Sequence, residues 1–173
     1  MVKFENSLRM RNILILVLTF LVSSISKGQT AQDNREILEP INALFKGMNT
    51  GDSAMVHSSF AASPTMATVF TNKEGVITLR QETDLKGFLN AVGSPHEEKW
   101  SEPIWEVKIQ MDGNFAQVWA KYAFYMGKTF SHCGVDAFQL FKGPDGKWKI
   151  FHLADTRWKE HCNVPPTIAN QFK

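Results

Sequence analysis

His132, Asp136, Asp155 and Arg157 are the residues of this 173-residue chain whose types and spacing could do chemistry. The first two lie four apart in FSHCGVDAFQLFK, the last two lie two apart in KWKIFHLADTR. If both segments are strands, their period of two puts each pair on one face. Pairing Lys142 with Lys147 across Gly143-Pro144-Asp145-Gly146 sets Leu153 opposite Asp136 and Arg157 opposite His132, with Asp155 diagonal to both. Four polar side chains then converge on an otherwise apolar surface. A desolvated Asp136 could keep its proton and donate a hydrogen bond, and His132 could serve as general acid or base. Arg157 could equally neutralise Asp155, leaving a satisfied network and no catalytic group. No ligand-rich spacing accompanies them, so no metal is expected. No nucleophile elbow or phosphate-cradling glycine loop calls for a cofactor.

These residues need a sheet to hold them. Asn114 to Arg157 reads as three long antiparallel strands, with turn signals at Asp112-Gly113, Gly127-Lys128 and Gly143 to Gly146. With Met126 facing Thr129, one face carries His132, Asp136, Leu153, Asp155 and Arg157 together with the aromatics Trp119, Tyr125, Phe138 and Phe151. These nine are the candidate site, His132 and Asp136 as the acid/base pair and the rest as ligand contacts. The other face carries Val107, Ile109, Val118, Ala120, Tyr122, Phe124, Val135, Phe141, Trp148 and Ile150. A broad apolar surface with no element left to cover it predicts a homodimer. A bulge in any strand would exchange the two faces beyond it.

Upstream, Asp33 or Asn34 is expected to cap a helix whose stripe runs Ile37, Ile41, Leu44, Met48 and stops at Gly51. Asp52 starts a short helix, strands follow over Thr65–Phe70 and Val76–Arg80, and a further helix carries Leu85, Phe88, Leu89 and Val92. Trp100 to Met111 is a strand entering the long meander. Helices first and strands last make an α+β domain.

Lys3, Arg9 and Arg11 before the apolar run Ile13–Val22, then SSISKG, predict a signal peptide over 1–28 with cleavage before Gln29. The run is too short to span a bilayer, so no stable membrane insertion is expected after cleavage. Removing Lys3, Arg9, Arg11 and Lys27 from 19 basic residues and Glu5 from 17 acidic ones leaves 15 and 16. That near-neutral chain has no basic stripe, which argues against nucleic acid as a partner. One domain is expected over 29–162, with a weakly ordered tail over 163–173 that contains Pro165-Pro166. A secreted or periplasmic location permits a disulfide. Sequence leaves open whether Cys133 and Cys162 form a bridge or stay separate thiols.

The helix ending MNTGD, the helix TDLKGFLNAV and the ending FQLFKGPDGKWKI resemble the nuclear transport factor two-like superfamily, with its SnoaL-like, ketosteroid isomerase-like and bacterial lumazine-binding branches. The resemblance covers roughly 33–158. It implies a curved sheet wrapped around helices, a pocket inside the cone and dimerisation through the outer sheet surface. It also implies that Asp136 stands where isomerase-like members place a proton-bearing pocket carboxylic acid. Thr68 falls where their carboxylate base would be, and Leu44 approximately where they carry a tyrosine, so steroid isomerisation by that route is not expected. The expected function is an exported protein that binds a small apolar or aromatic molecule. The alternatives are a lyase, isomerase or hydrolase using His132 with Asp136, and a structural domain whose cone is filled by its own side chains.

Overall fold

The computed structural model describes residues 29–173, so the expected leader, 1–28, lies outside the described residues. Helix α1 (Ala31–Thr50) starts one turn earlier than Asp33 as a cap would place it. Thr30 accepts from Asp33 N at 3.1 Å and the Asp33 carboxylate accepts from Thr30 N at 2.8 Å, so Asp33 is the third residue of a capping box. Ile37, Ile41, Leu44 and Met48 form the buried stripe, each worth about 1.5–3 kcal/mol over exposure. Gly51, at φ 70°, ends the helix. Helix α2 (Ser53–Ser59) folds back tightly against Gly47, where an added Cβ would stand 2.7 Å from Val56 Cγ2.

Seven strands follow: β1 (Phe60–Thr71), β2 (Ile77–Glu82), β3 (Trp100–Ser101), β4 (Ile104–Asp112), β5 (Phe115–Met126), β6 (Thr129–Lys142) and β7 (Trp148–Arg157). Helix α3 (Lys86–Gly93) separates β2 from β3. The sheet order is β2-β1-β7-β6-β5-β3, with β4 also paired to β5, and every pairing is antiparallel except β1 with β7. The helices pack on one face, which gives the expected α+β architecture.

Irregularities in the strands decide which side chains meet the helices. Tyr125 pairs with Phe130 and Phe124 with His132, so Ser131 bulges out. This odd shift exchanges the faces of β5: Val118, Ala120, Tyr122 and Phe124 join His132, Asp136 and Phe138 inside, and Trp119 goes outside. Between β6 and β7 the turn pairs Lys142 with Trp148, and Phe151 bulges between the Leu140–Ile150 and Gln139–His152 pairs. These two steps move the register by two residues, which preserves the faces but sets Asp155, not Leu153, opposite Asp136. In β4, a bulge around Glu106 (φ 51°) sets Lys108 opposite Trp119 and leaves Ile109 opposite Val118. The apolar surface expected for self-association is thereby corrected, since Val118 and Ile150 are fully buried and Tyr122 is 1 % exposed in the core.

The same register shift brings the cysteines together. Cys133 pairs with Trp158 rather than Thr156, and Cys162 closes a disulfide on it with Cα atoms 5.7 Å apart. The segment 163–173 carries a helical turn, α4 (Pro166–Ala169), and then a 3-10 turn (Asn170–Phe172). Phe172 stacks on Tyr125 at 3.8 Å, and with Ala123, Cys133, Cys162 and Val164 forms a small second core on the outer face. Among the described residues no helix is long and apolar enough to cross a membrane.

Candidate functional site

The cone is filled at one end and hollow at the other. Phe138, Leu140, Val118 and Ile150 pack against α1 with no exposure, and Phe138 meets Phe45 edge-on at 6.2 Å. Towards the other end of β6 the helices leave a cavity of about 360 Å³, at the small end of ligand-site sizes. Leu44, Met48, Met66, Phe88, Trp100, Phe124 and Leu153 form its apolar wall. Asp136, Glu102, Tyr122, Asp155, Thr68 and His132 supply the polar positions, with Arg80 and Arg157 at the mouth. Beyond the mouth lies a vestibule of about 690 Å³, bounded by Trp158, Lys159, Glu160 and His161.

Of the nine candidate residues, five line this space: His132, Asp136, Leu153, Asp155 and Arg157. The other four do not. Trp119 is 46 % exposed on the outer face because the Ser131 bulge turns it there. Tyr125, also on the outer face, is covered by Phe172. Phe151 occupies its own bulge and packs near Phe115 and Phe141. Phe138 faces inward but belongs to the filled end.

Asp155 is held by its neighbours. Thr68 Oγ1 donates to its Oδ1 at 2.6 Å, across the parallel pairing of β1 with β7. Arg157 Nε donates to Oδ2 at 2.7 Å and Tyr122 OH approaches the same oxygen at 3.3 Å. The Tyr122 hydroxyl also donates to Thr156 O at 2.9 Å. This requires Gly134, since a Cβ there would stand 1.8 Å from that carbonyl oxygen. Burial first, then the Asp155 charge, raises the Tyr122 phenol pKa, so the hydroxyl keeps its proton.

Asp136 lies deeper, 2 % exposed, and its Oδ2 receives no hydrogen bond from a neighbouring donor. Glu102, carried in the short link between β3 and β4, is its polar neighbour across the cavity floor. Burial, then the charges of Glu102 and Asp155, push the Asp136 pKa well above the carboxylate range. Burial and the Asp155 charge push Glu102 up to about 8. Two buried carboxyl groups facing each other avoid a double charge, so the pair keeps a proton. His132 is held neutral, its pKa lowered to about 4 by burial and then by the Arg157 charge. Its Nδ1 lies 3.0 Å from Ser131 Oγ and its ring leans on Phe124 and Tyr122. No hydrogen bond links His132 to Asp136 among the described residues.

Glu102, Tyr122 and Arg80 are the site residues that sequence reasoning missed. Tyr122 was hidden by the bulge. Arg80 becomes part of the mouth only through the pairing of β2 with β1, opposite Thr68. Glu102 sat inside an assumed continuous strand, and its one signal is the following Pro103, which cannot donate to a ladder and breaks that strand.

The family described as "Putative lumazine-binding" matches residues 32–153. No curated protein matches the chain significantly. Among solved structures, a protein of unknown function with a cystatin-like fold from Nostoc punctiforme superposes with a TM-score of 0.60 at 15% identity, over 76% of this chain and 95% of its own. A nuclear transport factor two-like protein of unknown function from Shewanella baltica gives 0.55 at 18% identity, over 75% and 96%. A protein from Streptomyces avermitilis, described as a "putative dehydratase" of the same superfamily, gives 0.57 at 15% identity, over 75% and 98%. At these identities the likeness is one of fold. The cone, its hollow end and the family match over most of the chain together place it in the lumazine-binding-like family of the nuclear transport factor two-like superfamily.

Proposed function

We propose that the chain is an exported small-molecule-binding protein whose ligand enters the hollow end of the cone. The observation that carries this is Asp136: a buried, proton-bearing carboxyl with an oxygen lacking a donor, on the floor of an otherwise apolar cavity. Buried polar groups are rarely left unmatched, and a ligand's hydrogen-bonding edge would supply the match. Trp100 and Phe124, edge-on at 5.9 Å, suit a flat ring. A two-ringed heterocycle of the kind named by the family fits this chemistry. A cavity of this size also speaks against a cone filled by its own side chains. Native mass spectrometry of protein purified from its own source tests the reading. A retained small molecule, lost on Leu153→Trp, is expected. Bare chain in both, with no ligand recovered, would end it.

A second reading, acid/base catalysis, draws on Glu102, whose pKa near neutrality suits proton transfer better than an isolated neutral His132. In that case Glu102→Gln would lower turnover by about 10²-fold or more.

Export and pairing belong to the same proposal. The Cys133–Cys162 disulfide supports a secreted or periplasmic location. The outer sheet face supports a homodimer through Phe141 of the residues first expected, joined by Phe115 and Trp119. Phe115, Trp119 and Phe141 are each 38–46 % exposed there, while the tail covers only the Tyr125 end. Sedimentation should show a dimer that Trp119→Lys dissociates; a well-folded monomer at high micromolar concentration would contradict it.

A further inference from the structure

The charge along the cavity is sorted from end to end. The inner cavity carries Glu82, Glu102, Asp136 and Asp155, and the vestibule carries Lys159 with Glu160 as its one acidic residue. Arg80 and Arg157 line both spaces. Arg157 commits only Nε to Asp155, and its two terminal nitrogens have no hydrogen-bond partner among the described residues. Arg80 is held by Glu82 through Nε at 3.5 Å and is also half-exposed. Two guanidinium groups, anchored at Nε with their outer edges free, form a pair of forks suited to a planar or tetrahedral anion. Lys159 adds a third positive charge beyond them.

Resting on the ligand-binding reading above, we propose that the ligand is an elongated amphipathic anion. Its apolar body lies in the inner cavity, and its carboxylate, sulfonate or phosphate head lies between Arg80 and Arg157. The inner end meets the buried Asp136 carboxyl, whose Oδ2 has no partner, with Glu102 beside it, so that end is neutral and polar, such as a ring carbonyl or amine. A second anionic group at that end would be buried among three acidic side chains, Glu102, Asp136 and Asp155, which makes the class a monoanion charged at one end.

Rigid probes that differ only in the head group test this. 8-Anilinonaphthalene-1-sulfonate and N-phenyl-1-naphthylamine share one apolar body, and the first adds a sulfonate. Titrated into the full mature chain at low salt, the sulfonate should bind about 10-fold tighter or better, the range of one charge-assisted pair. Arg80→Gln should bring the ratio of the two affinities to about 2 or less, and Arg157→Gln should do the same if it folds. Raising salt from 50 to 500 mM should shrink the ratio in the unmodified protein. Equal affinities, or a ratio unmoved by Arg80→Gln, would overturn the anion site while leaving the cavity reading intact. Failure of both probes to bind the folded protein would overturn both.

Discussion

The two ends of β6 make the instructive contrast. At Phe138 and Leu140 the strand is sealed by α1 and nothing polar faces inward; at His132 and Asp136, one to three pleats away, the same inner face opens on a cavity. Helix length explains the difference. Ile37 and Ile41 of the stripe cover the filled end, Leu44 and Met48 wall the cavity, and Gly51 stops α1 there. Where the helices withdraw, Glu102, Tyr122, Asp136 and Asp155 replace aliphatic side chains. Packing holds one half together, and hydrogen bonds plus a covalent clamp hold the other.

The contrast is broken most severely from the filled end. Phe138→Ala should cost about 3–5 kcal/mol by leaving an unfilled core void, measured by denaturant unfolding; Leu153→Ala, whose side chain already borders open space, should cost about 1 kcal/mol. Similar losses at the two sites would mean that the cone is uniformly packed. At the rim, replacing Cys133 and Cys162 together by Ala should cost about 2–4 kcal/mol and loosen the vestibule segment Trp158–His161 before the helices, as seen by amide exchange. Uniform loss of protection would deny the rim its separate status.

The third effect is a pH dependence. Glu102 has a folded pKa raised to about 8 from an ordinary 4.5, so the folded state holds a proton that the unfolded chain releases. The stability this contributes is complete below about pH 4.5 and is lost as pH rises towards 8, so unfolding free energy should fall across that window. Glu102→Gln should flatten the fall by about 1–3 kcal/mol between pH 5 and 8, below the full one-proton slope because Glu102 is partly open to the cavity. A parallel pH profile in the variant would remove Glu102 from the pair.

The sequence carried the architecture well because its signals are local: the α1 stripe, Gly51, the turns at Gly113, Gly127 and Gly146, and the alternation of β5 to β7. It carried the site half-way. His132, Asp136, Leu153, Asp155 and Arg157 share strands, and the two-residue register shift kept their faces. Trp119, Tyr125 and Phe151 failed because a bulge costs one residue of register, and neither Ser131 nor Phe151 announces itself in composition. Glu102 was illegible for a different reason: it reaches Asp136 only through the folded sheet, 34 residues away in sequence.

The smallest effect expected, and the most direct to read, is the state of two protons in the ligand-free protein. Side-chain carboxyl carbons of Asp136 and Glu102, followed by NMR from pH 3 to 9 and assigned with Asp136→Asn and Glu102→Gln, report it without any ligand. The hollow end as described requires that neither group titrates near pH 4, that Glu102 loses its proton near pH 8, and that Asp136 titrates well above the ordinary carboxylate range. Ordinary titration of both carboxyls near pH 4 would contradict the proton-sharing pair on which the proposed site is built.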